Sequence, residues 1–445
     1  MQDRRNFLKS SLAAGVSMSA LPAFAQQSGD DYKALVCVVL LGGIDSQDCL
    51  VPTAPSGYGS WAKARSSIVA PLKDGSRARD GLVTLGQSAQ GFGFVPEMRG
   101  LADLYRRGDL AVVSNTGPLL EPVTKRDIVD KPGKLPPRLA SHNDQQSTWQ
   151  TLAPEGAPTG WGGRMLDALG KGSDLAGISI KSNTSFVVGQ TAPGVTVPPD
   201  GISLPFGISP ADKKRFGDLS DLLEEHFRGV GQSPDSLFEQ DVVIAQRRAY
   251  DASVKLAGLL DGNTAGDTAK IAENKLAKQL AMVAKMISIQ KPLGLSRQVF
   301  AVRLGGFDTH RNQFEKLPGL QRTLSEALLA FQNTLNSMGV ADQVTTFTVS
   351  DFGRTLISNA SGTDHGWGGH TYVMGGAVRG GRVIGEIPPY DVGHDLDWRR
   401  GAMIPTISIE QYAGALGSWF GLDTDGLQEV FPNIGRFDRN AVKLF

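Results

Sequence analysis

An unbroken apolar run, ALVCVVLL at residues 34–41, stops at Gly42-Gly43. A run with no polar position fits a strand covered on both faces. EMRGLADLYRRG at 97–108 carries its apolar positions on one helical stripe, ends in glycine and leads directly into DLAVVSN. WGGRMLDALG at 161–170 repeats the helix-then-glycine pattern before a short strand, GISI. Residues 211–290 read as helices broken at Gly229–Pro234 and Asp261–Gly266. Strand 298–304, helix 312–338, strand 344–349 and a glycine-rich strand pair around 371–385 follow. Alternating strands and helices predict an α/β fold with a largely parallel sheet covered on both faces. In such sheets, sites form outside the carboxyl ends of the strands.

Two stretches interrupt the pattern. Residues 116–140 and 191–210 hold five prolines each. Both are expected to be free of helix, and at that length to line or cover a site. Apart from one short echo described below, no internal repeat is visible.

The first residues read as an export signal. Arg4-Arg5-Asn6-Phe7-Leu8-Lys9 is a twin-arginine start, an apolar stretch follows, and Ala23-Phe24-Ala25 is a small-residue cleavage site. Residues 1–25 are therefore expected to be removed and residues 26–445 to form a single domain in the periplasm or outside the cell. The implied partner during export is the twin-arginine translocase, which carries chains already folded. No later stretch approaches the roughly 20 apolar residues of a membrane helix.

Composition excludes some partners. The chain has 45 basic and 45 acidic residues, and removing the signal takes three of the first and one of the second. With no basic excess and no basic run, neither a nucleic-acid nor an anionic-membrane partner is indicated. The two cysteines, Cys37 and Cys49, leave open a disulfide or two buried thiols.

The candidate chemistry gathers at strand ends. LGGID at 41–45 and LGGFD at 304–308 each follow an apolar strand. Paired glycines allow a tight turn and close approach there. Asp45 and Asp308 are expected on one rim, with His310 on the face of Asp308 if the segment is extended. A third strand ends in Asp351, and Asp364, His365 and His370 follow in TDHGWGGH. Carboxylates and imidazoles together are the donors of a divalent metal site. Taken singly, an aspartate after a strand is more often a turn former or helix cap. In SHNDQQSTWQ at 141–150, His142, Asn143 and Asp144 could face the same rim, while Ser141 or Asn143 could simply cap a helix. Arg354 suits an anionic group or a pairing with Asp351. His226 reads as structural, and His394 stays undecided.

Other motifs fail. Asp351-Phe352-Gly353 echoes the kinase metal loop without the rest of that signature. No dinucleotide-binding glycine motif follows the first strand, and no nucleophile elbow occurs.

LLGGIDSQDCLVP, SHNDQQSTWQ, GWGGRML, LGGFDTH, SDFGRT and TDHGWGGH, with the twin-arginine start, resemble the exported bacterial family called domain of unknown function 1501. That family in turn resembles the alkaline phosphatase and sulfatase superfamily. The resemblance implies a three-layer α/β/α fold with a metal site at the strand ends. It implies that Asp45, Asp308, His310, Asp351, and His365 or His370 are ligands, with Asp364 a further candidate. Where the superfamily has Asp-His, this chain has Asp351-Phe352, and the sulfatase Cys/Ser-x-Pro-x-Arg signature is absent. Ser141, Ser147 and Thr148 are the available hydroxyls.

The leading expectation is a metal-dependent hydrolase of phosphate or sulfate esters, its substrate a small molecule or glycan. Zn, Mn, Ca or Mg would serve as cofactor, with Arg354 and His142 neutralising developing charge. The competing expectation is a cell-envelope binding protein that keeps the fold without the chemistry. A twin-arginine oxidoreductase is disfavoured because no cofactor motif is present.

Overall fold

The computed structural model describes residues 31–70, 77–130, 135–229, 236–263 and 274–445. The twin-arginine signal, most of the expected helix break Gly229–Pro234 and half of Asp261–Gly266 lie outside them. Nine strands form the main sheet: β1 (Lys33–Leu41), β2 (Leu110–Gly117), β3 (Gly177–Ile180), β4 (Val195–Val197), β5 (Arg297–Gly305), β6 (Val344–Ser350), β7 (Gly369–Met374), β8 (Arg382–Ile384) and β9 (Ile407–Ser408). Their order is β8-β2-β7-β6-β1-β5-β3-β4, with β9 also pairing β2. Every pairing is parallel except those of β7, which runs against both β6 and β2. Its reversal matters: β7 begins, rather than ends, at the rim where its neighbours finish.

β1 shows why the sheet has two covered faces. Ala34, Val36, Val38 and Leu40 point into one apolar cluster, and Leu35, Cys37 and Val39 into another. Alternation along a strand sends successive side chains to opposite sides. Helices α1 (Arg99–Arg107), α4 (Lys275–Ser288) and α5 (Gln313–Ser337) supply Leu101, Leu280 and Leu324 to the first cluster. On the other side, α2 (His142–Thr151), α3 (Trp161–Ala168) and α6 (Ile409–Phe420) supply Trp149, Trp161 and Tyr412. Large apolar side chains buried this way contribute roughly 1.5–3 kcal/mol each. The three-layer α/β/α fold is thus built on an apolar run that never alternates with polar residues.

The helix-then-glycine pattern holds, with Gly108 ending α1 at a left-handed φ of 84°. One of the proline-rich stretches differs from the expectation of no helix. Residues 116–140 contain a short helix, Lys125–Asp130, fitted between prolines. Residues 191–210 contribute β4 to the sheet edge. Cys37 and Cys49 are both free and buried. They belong to the two clusters on opposite sides of the sheet, so the side chains cannot meet.

Candidate functional site

The loop after β5 presents Asp308 and His310 together. The Phe307 amide donates to the Leu41 carbonyl at 3.1 Å, tying this loop to the end of β1. A two-stranded ribbon, Arg354–Ser358 with Thr363–His365, sets Arg354 directly opposite His365. The first turn of α2 adds His142. At the centre is Asp308 Oδ1, with Arg354 Nη1 at 2.9 Å, His310 Nε2 at 3.2 Å, His365 Nε2 at 3.4 Å and His142 Nε2 at 3.6 Å. His310 Nε2 and His365 Nε2 are 2.8 Å apart. Donor atoms of His142, Asp308 and His365 all lie within 4.8 Å of one another.

Each ring has an oxygen behind it. His365 Nδ1 donates to the Ala140 carbonyl at 2.8 Å. His142 Nδ1 lies 2.6 Å from Asp351 Oδ2, which also accepts from Gln146 Nε2 and the Gly42 amide. His310 Nδ1 lies 3.4 Å from Asp364 Oδ1. A neutral imidazole that donates through Nδ1 presents a bare lone pair at Nε2. His142 and His365 therefore present Nε2 lone pairs toward the centre, and His310 Nε2 donates to His365 Nε2 at 2.8 Å. The Phe352 ring packs on His142 and His365, with centroids 4.9 and 4.4 Å away. It supports both rings rather than joining the donors.

Electrostatics favour an ionised Asp308 carboxylate and a neutral His365 ring. Partial burial works against ionising Asp308, but the Arg354 hydrogen bond and charge outweigh it, aided by His310 and His142. Its carboxyl is held below the usual range. Burial lowers His365; the Ala140 carbonyl acts in the opposite sense, and Arg354, His142 and His310 push it down further. Asp308 and His310 are 46% and 40% exposed, so the cluster opens to solvent on that side.

Several predicted residues land elsewhere. Asp45 is fully buried in an ion pair with Arg65, whose Nη2 donates to Oδ1 at 2.8 Å, and Gln313 Nε2 donates to Oδ2 at 2.6 Å. Both oxygens are engaged, so Asp45 is no ligand. The echo of Leu-Gly-Gly-x-Asp packs two loops together without bringing the two aspartates to one ion. His370 is also out: Nδ1 accepts from the Asn115 amide at 3.1 Å and Nε2 meets the Tyr390 hydroxyl at 2.8 Å. Asp351 and Asp364 orient His142 and His310 rather than joining the centre.

Arg354 pairs with Asp308, not Asp351. Its remaining donors go to the Thr363 and Gly42 carbonyls and the Thr363 hydroxyl, so it holds loops rather than awaiting an anion. Ser141 precedes α2 but caps nothing; its hydroxyl donates to Asp144. Ser147 and Thr148 donate to the Pro154 and Asp144 carbonyls. His226 lies exposed on a surface helix. His394 accepts from the Leu396 amide within its own loop. Arg65, Gln313, Gln146 and Asn359, whose Nδ2 donates to Asp364 Oδ1 at 3.0 Å, carry no motif, since isolated amides and an arginine outside any motif leave no local pattern.

The molecule is an α/β protein with an open His/Asp cluster at the carboxyl ends of a mostly parallel sheet. Residues 32–403 match the family described as "Protein of unknown function (DUF1501)", and the chain belongs to it. No curated protein matches the chain. Two solved structures of Ps i-CgsB are similar at 8% identity, covering 92% of this chain and 77% of theirs. The complex with k-i-k-neocarrahexaose has a TM-score of 0.38 and the other structure 0.35.

Proposed function

We propose that His142, Asp308, His310 and His365 hold a divalent metal ion, and that the protein is an exported hydrolase of phosphate or sulfate esters. One observation carries the metal: donor atoms of His142, Asp308 and His365 lie within 4.8 Å of one another, and His310 Nε2 lies 3.2 Å from Asp308 Oδ1 and 2.8 Å from His365 Nε2. Ligands about 2.0–2.1 Å from a tetrahedral ion stand roughly 3.3 Å apart. The separations of 2.8, 3.2, 3.4 and 3.6 Å bracket that value. Among the described residues, His142 Nε2 and Asp351 Oδ1 are buried with no hydrogen-bond partner. An orphaned imidazole nitrogen aimed at a cluster is what a missing ion would leave. Three imidazoles favour zinc over manganese, calcium and magnesium, which prefer oxygen.

When bound, the ion supplies Lewis acidity and a water acidified enough to attack at neutral pH. The protein's own residues do the rest. Arg354 keeps Asp308 ionised and in place, Asp351 and Ala140 set two tautomers, and Phe352 shields one side from water. Water is the nucleophile, because Ser141, Ser147 and Thr148 are all committed elsewhere. The resemblance of the family to the phosphatase and sulfatase superfamily supports the ester, and the exposed cations Arg311, next to His310 in sequence, and Arg400, paired with Asp364, support an anionic one.

The test is elemental analysis of the mature chain purified without chelator. Wild type is expected to carry about one zinc and to cleave an aryl phosphate or sulfate. Asp45→Asn is expected to keep the metal, whereas His142→Ala and His365→Ala lose it. Asp351→Asn should weaken metal affinity by about 10–100-fold. A folded wild type that takes up no metal on reconstitution would sink the proposal. The commitment of Ser141, Ser147 and Thr148 to other partners favours a second reading, a binding protein without catalysis, which predicts metal uptake but no turnover.

A further inference from the structure

A cavity of about 390 Å³ opens beside the cluster. It shares α2 with the proposed metal site. His142 and Gln146 serve the cluster, while Asn143, Gln146, Ser147 and Gln150 line the cavity. The spacing i, i+3, i+4, i+7 puts those four on one helical stripe. Gln146 belongs to both, since its Nε2 reaches Asp351 Oδ2 at 2.9 Å. A ligand in the cavity would therefore lie next to the metal donors.

The wall chemistry is unusual for a cavity of this size. Small-molecule pockets are mostly apolar with a few polar groups. Here side-chain amides and hydroxyls from α2, Asn183 and Thr184 dominate, and no aromatic ring is among the lining residues. A nucleobase would want a stacking face and an acyl chain an apolar trough. Many donors and acceptors at different angles suit a ligand that carries many hydroxyls.

One cation lies among them. Arg303 extends from β5, and Nη2 donates to the Asn183 carbonyl, but its Nε is buried with no partner among the described residues. Burial lowers the Arg303 pKa, a penalty that an anion would relieve. Glu155, the acidic residue of the lining, is exposed and free to accept from hydroxyls.

We propose that this cavity is a subsite for a sugar bearing a sulfate, phosphate or carboxylate group, with Arg303 meeting the anion and Asn143 and Asn183 the hydroxyls. The inference rests on the hydrolase reading only for the identity of the ester-bearing unit. The cavity binds its ligand with or without turnover.

Glucose 6-sulfate, glucose 6-phosphate, glucose and inorganic sulfate would each be titrated into the mature chain by saturation-transfer NMR and calorimetry. Metal content would be measured on the same samples. Millimolar binding of the two charged sugars is expected, at least tenfold tighter than glucose or sulfate alone. Arg303→Gln should erase the advantage of the charged sugars over glucose. Asn143→Ala should weaken all three sugars and leave metal content and thermal midpoint unchanged. Sulfate binding as tightly as its sugar, or Arg303→Gln binding like wild type, would overturn the subsite. So would a folded wild type that binds none of the sugars. Sugar binding without metal would defeat the hydrolase and keep the subsite; metal without sugar binding would do the reverse.

Discussion

His370 illustrates how one residue's surroundings decide its role. Its Nδ1 accepts from a backbone amide and its Nε2 can only donate to Tyr390, so the neutral ring satisfies both neighbours. Burial lowers its pKa to about 4, from an ordinary value of 6.5. The folded chain therefore resists a proton that the unfolded chain accepts. Stability contributed by the neutral ring is intact above about pH 6.5 and is lost as pH falls toward 4. The full loss is about 3 kcal/mol. Denaturant midpoints at pH 7 and pH 4.5 should show His370→Gln losing less stability on acidification than wild type. Equal losses would mean that the ring does not titrate in this way. Asp45 makes the same point for carboxylates: Arg65 and Gln313 turn a motif aspartate into a structural ion pair, whose breaking typically costs 3–5 kcal/mol.

At the scale of elements, the strand-end glycines hold the site together by letting backbones touch. Gly42 has φ +110°, and a Cβ there would fall 2.4 Å from the Asp308 amide nitrogen. Gly43 has φ +77°, and a Cβ would meet the Phe352 ring at 2.5 Å. The loop after β1 is thus the template on which the Asp308 loop and the ring behind two histidines are seated. Gly42→Ala should destabilise the fold by at least about 2 kcal/mol and reduce metal uptake. Gly86→Ala is the control. Gly86 has φ +85° but nothing within 4 Å of the added carbon, so only the left-handed strain applies. Chemical denaturation of both variants separates the collision from the strain; equal losses would remove the template role. The reversed strand β7 and the ribbon before it do similar work, feeding the rim from the opposite chain direction.

For the whole molecule, the three layers place every proposed donor at one edge of the sheet. Tyr32–Phe445 forms one compact unit. Among the described residues no helix is long and apolar enough to cross a membrane. A metal held by residues as distant in sequence as His142 and His365 binds only after folding, which suits a route that carries folded chains. Replacing Arg4 and Arg5 by lysine should leave full-length, metal-loaded protein in the cytoplasm. Wild type should appear outside it, beginning near Gln26. Cell fractionation with N-terminal sequencing decides; export undiminished by the double replacement would remove the twin-arginine assignment.

Most strands of the main sheet and several helices were legible along the chain because burial on both faces leaves a local mark: apolar runs, helical stripes and glycine stops. The neighbourhood of Asp308 and His310 was legible for the same reason, being adjacent in sequence at a strand end. What the local pattern could not carry was partnership. Arg65 reaches Asp45 across 20 positions, Gln313 across 268 and Asp351 reaches His142 across 209. Nothing in LGGID distinguishes an aspartate that will be buried against an arginine from one that will face a ring of histidines. Tertiary packing made that choice, because a buried carboxylate takes whichever donors the fold brings within hydrogen-bond reach.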